Sequence, residues 1–376
     1  MRRFEYFLYE KFNADLQASN PDNPRLIFGK DSDFFLSEIA DHPAGTYQIS
    51  DCTTYEKFFV SQMIRIGILR SQNGALLFDC PIFLAEDADT LQQKTADSAV
   101  ALADILEGAV PAIRDCCAKI DNQFSVEQNL YHILCGMIFD GLFFDFLSEH
   151  RSLATSRTHP SGLDYLVIIY EKCDSLQKFS DQILCSYNRF ANQRCSLQSF
   201  GDAQGNRFDF YRFFRLMEQE KLLDQYLPAQ ILWQSSDPPL NKEKILSDVL
   251  FFLQTGHCDD NVLKLLELFG YVHNGSICVP VYRPEHRPYI LKIEAIVEEC
   301  LSEKMSKALS DLAVSLQITA VSHGVDPLEI ANELYHILFG SLNEELIKRK
   351  VVAAPPYFPG EGRYQKCIEI LALKKG

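Results

Sequence analysis

Two histidines stand at matching places in two near-identical strings. Leu130-Tyr131-His132-Ile133-Leu134-Cys135-Gly136 returns as Leu334-Tyr335-His336-Ile337-Leu338-Phe339-Gly340. An imidazole can move a proton near neutral pH or bind a metal. Each of these lies mid-helix among Leu, Tyr and Ile, so both read as packed side chains that make one hydrogen bond. No acid stands three or four residues from His132 to orient it, whereas Asn332 precedes His336 by one turn. His257-Cys258-Asp259-Asp260 sets metal-capable groups in a row. Adjacent residues do not converge on one centre, and no second ligand pair has metal spacing, so the string reads as a helix start capped by Asp. Glu86, Asp87 and Asp89 lack the glycine and distal glutamate of a calcium loop and read as an acidic first helical turn. G-x-S-x-G, H-E-x-x-H, a Gly-rich phosphate loop and a recognisable Cys–His pair are all missing. The sequence thus assigns no catalytic residue, metal or cofactor. An enzyme requires groups converging from distant positions.

Other strings recur about 200 residues apart. Gly67-Ile68-Leu69-Arg70-Ser71-Gln72-Asn73-Gly74 matches Gly270-Tyr271-Val272-His273-Asn274-Gly275 with two residues fewer, and each stretch runs on to a proline, Pro81 or Pro280. Ahead of each lies a helical pattern. In the first copy Thr53 or Thr54 can cap it, and Phe58, Phe59, Gln62, Met63 and Ile66 share one face. In the second, Asp259 or Asp260 can cap, and Val262, Leu265, Leu266 and Phe269 form the stripe. Gly67 and Gly270 stand where a left-handed residue ends a helix. Asn73-Gly74 and Asn274-Gly275 suit two-residue type I′ hairpins. A shorter helix precedes each unit, around 34–40 and 242–253.

The order helix, helix, glycine, Asn-Gly hairpin resembles a winged helix over about 30–85 and 240–283. In that family the second helix of the motif enters the DNA major groove and the wing touches the backbone. Carried onto the first copy, the resemblance implies contacts from Lys57, Ser61, Gln62 and Arg65 on the helix and from Arg70, Gln72 and Asn73 on the hairpin. The second copy offers Asp259, Asp260, Asn261, Lys264 and Glu267, and carboxylates at that position repel phosphate.

A helical layer is expected after each hairpin. Residues 88–120 read as helix broken near Gly108 and Pro111, and residues 288–317 as one long helix. Ser125-x-x-Gln128 and Asp326-Pro327-x-Glu329 read as capping boxes ahead of the histidine-bearing helices. A final helix is expected around Tyr165 and Tyr364. Copy one then continues as helix from Lys172 to about Asn192. Each copy is expected to open with an aromatic-rich helix, matching Arg3-Phe4-Glu5-Tyr6-Phe7 to Arg207-Phe208-Asp209-Phe210-Tyr211. Residues 201–206 look like the linker. The expected fold is therefore mainly α with small β-hairpins, a duplicated winged-helix-like unit with a helical layer. Its expected domains are 1–200 and 207–376.

The chain has 376 residues, 47% hydrophobic, and a net charge of −15, enough apolar surface for folded cores. The first 205 residues hold 17 basic and 28 acidic side chains. This acidity opposes nucleic acid unless a local basic face overrides it. The twelve cysteines include no C-x-x-C pair and read as small buried hydrophobes of a reducing compartment. The first residues, Met1-Arg2-Arg3 before Phe4-Glu5-Tyr6, do not resemble a signal peptide, and no uncharged apolar run approaches membrane length. The chain is expected to be cytoplasmic, without a membrane partner. Function is expected to be that of a non-enzymatic regulatory or protein-interaction module. The alternatives are a DNA-binding transcriptional regulator acting through the first repeat, and an enzyme with a site between the repeats. The partner's identity and the oligomeric state stay open.

Overall fold

The computed structural model describes residues 1–9, 20, 22–27, 30–203, 206–218, 223–236 and 240–371. Helix predominates, with small sheets. The chain divides into two compact units, each built from three segments. The first comprises Met1–Ala103, Asp145–Ile183 and Leu301–Leu342. The second comprises Asp104–Phe144, Leu184–Cys300 and Asn343–Gly376. Four of the five divisions fall inside the helices Ala88–Glu107, Val126–Glu149, Arg287–Ser315 and Pro327–Lys348, and the fifth follows the helix Asp174–Ile183. Unit one joins the hairpin of copy one to a helical segment of copy two, and unit two does the reverse.

In unit one the strand Asp164–Glu171 is central. Tyr165 through Tyr170 are all buried, the continuous apolar run of a strand covered on both faces. Phe4–Tyr9 pairs with it antiparallel, Phe4 opposite Glu171, and Ile82–Phe83 pairs parallel, Ile82 opposite Ile169. Unit two repeats the plan around Gly362–Ile370. Cys195–Asp202 pairs antiparallel, Cys195 opposite Ile370, and Val281–Tyr282 pairs parallel, Val281 opposite Ile368. Cys185–Ala191 extends this sheet beyond Cys195–Asp202.

These registers correct several expectations. Phe4–Tyr9 is a strand, whereas the string matched to it leads into the helix Phe210–Glu218. The counterpart of Phe4–Tyr9 by register is Cys195–Asp202, so the aromatic match is not a structural equivalence. Tyr165 and Tyr364 lie on strands, not on a final helix. Their apolar runs have strand length, and short apolar runs do not distinguish the two states. Of 172–192 only Asp174–Ile183 is helical. Gly201 and Asp202 end a strand, and Gln204 and Gly205 lie outside the described residues.

The helix–hairpin segments match their expected form. Helix Lys30–Ala40 precedes Thr54–Arg65, and helix Lys242–Thr255 precedes Asp260–Leu268. Asn73 and Gly74 have φ of 53° and 85°, and Asn274 and Gly275 have 50° and 69°, as a type I′ turn requires. The break expected after residue 88 separates Ala88–Glu107 from Val110–Cys117. Ser125 accepts from Gln128 N at 3.2 Å while Gln128 Oε1 accepts from Ser125 N at 3.1 Å, a closed capping box. Asp326 accepts from Leu328 N at 2.8 Å. Glu329 does not close the second box; its carboxylate is bound elsewhere.

Helix Val126–Glu149 is long and apolar enough to cross a membrane by length and composition. Asp140 and Asp145 interrupt it, and 67% of its most apolar window is buried. Between Tyr131 and Leu142 it widens to π-helical bonding.

Gly201 admits no side chain. A Cβ there would lie 2.1 Å from Arg363 O and 2.5 Å from Tyr364 Cα on the paired strand. Gly201→Ala is expected to destabilise the fold by about 1–3 kcal/mol, as overpacking does. Urea unfolding checks this, and an unchanged midpoint refutes it.

Candidate functional site

The helix Thr54–Arg65 starts at a reciprocal cap. Thr53 Oγ1 accepts from Glu56 N at 3.3 Å, and Glu56 Oε2 accepts from Thr53 N at 2.6 Å. Val60, Met63 and the following Ile66 are buried against the core of unit one. The opposite face centres on Phe58. At 100° per residue Tyr55, Ser61, Gln62 and Arg65 surround it. Tyr55 is 67% exposed and Phe58 65%. Phe58 is therefore not part of the core stripe. The buried face runs through Val60, which the apolar pattern passed over because both faces carry large apolar residues.

The seven residues assigned to DNA contact divide into two groups, with Gln72 among the exposed ones. Lys57 and Ser61 are exposed, and Ser61 Oγ donates to Lys57 O at 2.9 Å. Gln62 is half-buried. The Arg65 guanidinium pairs with Asp22 at 2.8 Å, and its side chain is 60% exposed. Asn73 is exposed at the hairpin tip. Arg70 turns inward. It pairs with Asp79 at 3.3 Å, donates to Gly324 O at 3.3 Å and to His323 O, and reaches Gln72 Oε1 at 3.1 Å. The hairpin's cation is thus spent on protein groups. In the second copy Asp259 caps the helix, accepting from Asn261 N at 2.9 Å, and Lys264, Glu267 and His273 are exposed.

The root of the first hairpin is a charged cluster that spacing did not reveal. Arg157 lies on the short strand paired with Tyr165. It donates to Gly67 O at 2.8 Å and pairs with Asp79 at 3.4 Å and Glu329 at 3.1 Å. Tyr165 OH donates to Ile66 O at 2.9 Å. Phe78 N donates to His323 Nδ1 at 3.2 Å, which requires that nitrogen to be unprotonated. Burial pushes the Glu329 carboxyl up to about 7, with Arg157 acting against it. Burial likewise raises Asp79 against the two arginines. Burial lowers His159 and His323 to about 4. Arg157 precedes a proline by three residues, and Glu329 has the spacing of a capping residue. Neither feature announces an ion pair across so much chain.

Unit two holds a buried thiol–imidazole contact. Cys367 Sγ lies 2.8 Å from His132 Nε2 and 3.1 Å from Gln198 Oε1. Gln198 in turn donates to Glu369 at 2.6 Å. A Cys–His pair can make a nucleophile only when the thiolate forms. Here burial lowers His132 to about 4 and raises the Cys367 thiol well above its usual range, so both stay neutral. Both members of the pair are fully buried. Its members are 235 residues apart in sequence, so spacing could not suggest it. In unit one Glu333 accepts from Tyr170 OH at 2.5 Å and Tyr9 OH at 2.9 Å. Among the described residues no group of three His, Cys, Asp or Glu side chains could hold a metal.

Comparison with family models, curated proteins and solved structures finds no match to this chain.

The Glu329 carboxyl titrates above its unfolded value. Its contribution to stability is therefore complete below about pH 4.5 and lost as pH rises through 7. Glu329→Gln mimics the protonated form. The variant is expected to lose less stability than the parent between pH 5 and 8, read as melting temperature against pH. Parallel curves would show that Glu329 does not titrate there.

Proposed function

We propose that the chain is a non-enzymatic regulatory module of the cytoplasm, built from two winged-helix-like repeats, that acts by binding another protein. Its contact surface is the outer face of the helix Thr54–Arg65. One observation carries this reading. Tyr55 and Phe58 occupy the centre of the face that a DNA reader fills with polar groups. Exposed aromatics one turn apart are the side chains that dominate protein interfaces when buried. The inward-turned Arg70 supports the same reading, because the first hairpin then lacks its phosphate contact. All twelve cysteines are free, which agrees with a reducing compartment. The alternative is a DNA-binding regulator using Lys57, Ser61, Gln62 and Arg65, favoured by the exposure of Lys57 and Arg65.

Fluorescence anisotropy with generic duplex DNA at low salt separates the two, since non-specific binding is strongest there. No binding is expected. Tyr55→Ser/Phe58→Ser is expected to leave the melting temperature close to that of the parent chain, because both side chains point away from the core. It should also remove the partner that cross-linking captures with the parent. Salt-sensitive DNA affinity that Arg65→Glu abolishes would overturn the proposal.

A further inference from the structure

The two Asn-Gly turns share one conformation but not one setting. Asn73-Gly74 joins the strands Leu69–Gln72 and Ala75–Phe78, with Leu69 opposite Phe78 and Gln72 opposite Ala75. A separate segment straps this hairpin from the side. Gly74 O accepts from Ile49 N at 2.9 Å, Tyr47 O accepts from Leu76 N at 2.8 Å, and Gln48 bridges to Ala75. A Cβ on Gly74 would lie 3.2 Å from Gln48 Oε1. Asn274-Gly275 joins the shorter strands Val272–His273 and Ser276–Ile277, which make only two cross-strand pairs. Beneath them Tyr271 O accepts from Cys278 N at 3.0 Å. A Cβ on Gly275 would meet nothing within 4 Å. Both asparagines are exposed, so the turns differ in how they are held and not in their access to water.

That difference has a chemical consequence. In an Asn-Gly pair the side-chain amide carbon faces the least hindered backbone nitrogen, because glycine has no Cβ. Ring closure between the two requires the peptide after the asparagine to rotate out of the left-handed turn. The rate therefore follows how often the tip opens. Local opening is easiest where few backbone bonds hold the chain, and a short two-stranded ribbon is marginal by itself. The first tip must also release its bond to Ile49. One net backbone hydrogen bond corresponds to about fivefold in the open population.

We propose that Asn274 is a self-modification site, converted by water to isoaspartate and aspartate ahead of Asn73. The Gly275 backbone nitrogen attacks Asn274 Cγ. A C–N bond forms, the bond from Cγ to the side-chain nitrogen breaks, and the proton lost by Gly275 leaves with that nitrogen as ammonia. The product is a cyclic imide. Water then opens it at either carbonyl. Attack at Cγ breaks its bond to the Gly275 nitrogen and leaves aspartate. Attack at the backbone carbonyl leaves isoaspartate, in which the chain runs through the side chain. The net change converts an amide and water into a carboxylic acid and ammonia, with no oxidant or reductant. Either product puts a new carboxylate on the hairpin that follows a helix already exposing Asp259, Asp260 and Glu267. Isoaspartate also moves a methylene into the main chain of a two-residue turn, whose geometry has no place for it.

The test incubates the full chain in heavy-oxygen water at mildly alkaline pH. Peptide mass spectrometry then follows label at both Asn-Gly sites, with digestion in ordinary water so that later conversion carries none. Asn274 is expected to take up label at least about fivefold faster than Asn73. In concentrated urea the turns are gone and glycine follows both asparagines, so the two rates should converge. Ile49→Pro removes the donor to Gly74 O. Gln48 already has the extended backbone that precedes a proline, with φ −102° and ψ 144°. In that variant Asn73 should label at close to the rate of Asn274. The comparison within the parent chain stands even if the variant does not fold. Equal rates at the two sites in the folded parent, or faster labelling of Asn73, would overturn the proposal.

Discussion

The last carbonyls of two helices, Thr54–Arg65 and Asp260–Leu268, must find donors in places where water does not reach freely. A helix leaves such groups unpaired, and burying them unpaired is costly. The protein answers with side chains from remote strands. Tyr165 serves Ile66 O and Arg157 serves Gly67 O; Lys366 serves Phe269 O. These donors fix each helix and its hairpin to a central strand. The strands Asp164–Glu171 and Gly362–Ile370 then become the points about which each unit is assembled.

That arrangement bears on function through what it consumes. In the first unit, Arg157 and Arg70 are drawn into a cluster with Asp79 and Glu329 at the hairpin root. Charges that a DNA-binding wing would offer to phosphate here neutralise carboxylates that are largely out of water. The helix beside it keeps an apolar centre on its outer face. In the second unit the equivalent carbonyl is met by a lysine without a carboxylate partner among the described residues. The two copies keep one backbone plan and place different chemistry on it.

The buried polar groups of the histidine-bearing helices follow a different rule. His132 meets Cys367 and Gln198, and His336 Nδ1 lies 2.8 Å from Asn332 O. Burial lowers both histidines, so both are held neutral and serve packing. A thiol beside an imidazole is chemically suggestive on paper. In this setting the desolvation of both groups outweighs the contact between them.

Local sequence determined the local geometry. The Asn-Gly turns, the caps at Thr53, Ser125 and Asp259, and the glycines that end two helices depend on neighbours within a few residues, and the structure has them as read. Periodicity determined the long helices for the same reason. It failed for Phe4–Tyr9 and for the runs around Tyr165 and Tyr364, because a short apolar run serves a buried strand as well as a helix. It also failed for Phe58, whose exposure depends on which face of a doubly apolar helix meets the core. The tertiary structure alone decided the pairing of Arg157 with Glu329, of Cys367 with His132 and of Lys366 with Phe269 O. Those contacts join residues far apart in sequence, and such neighbours leave no trace in the spacing of either partner.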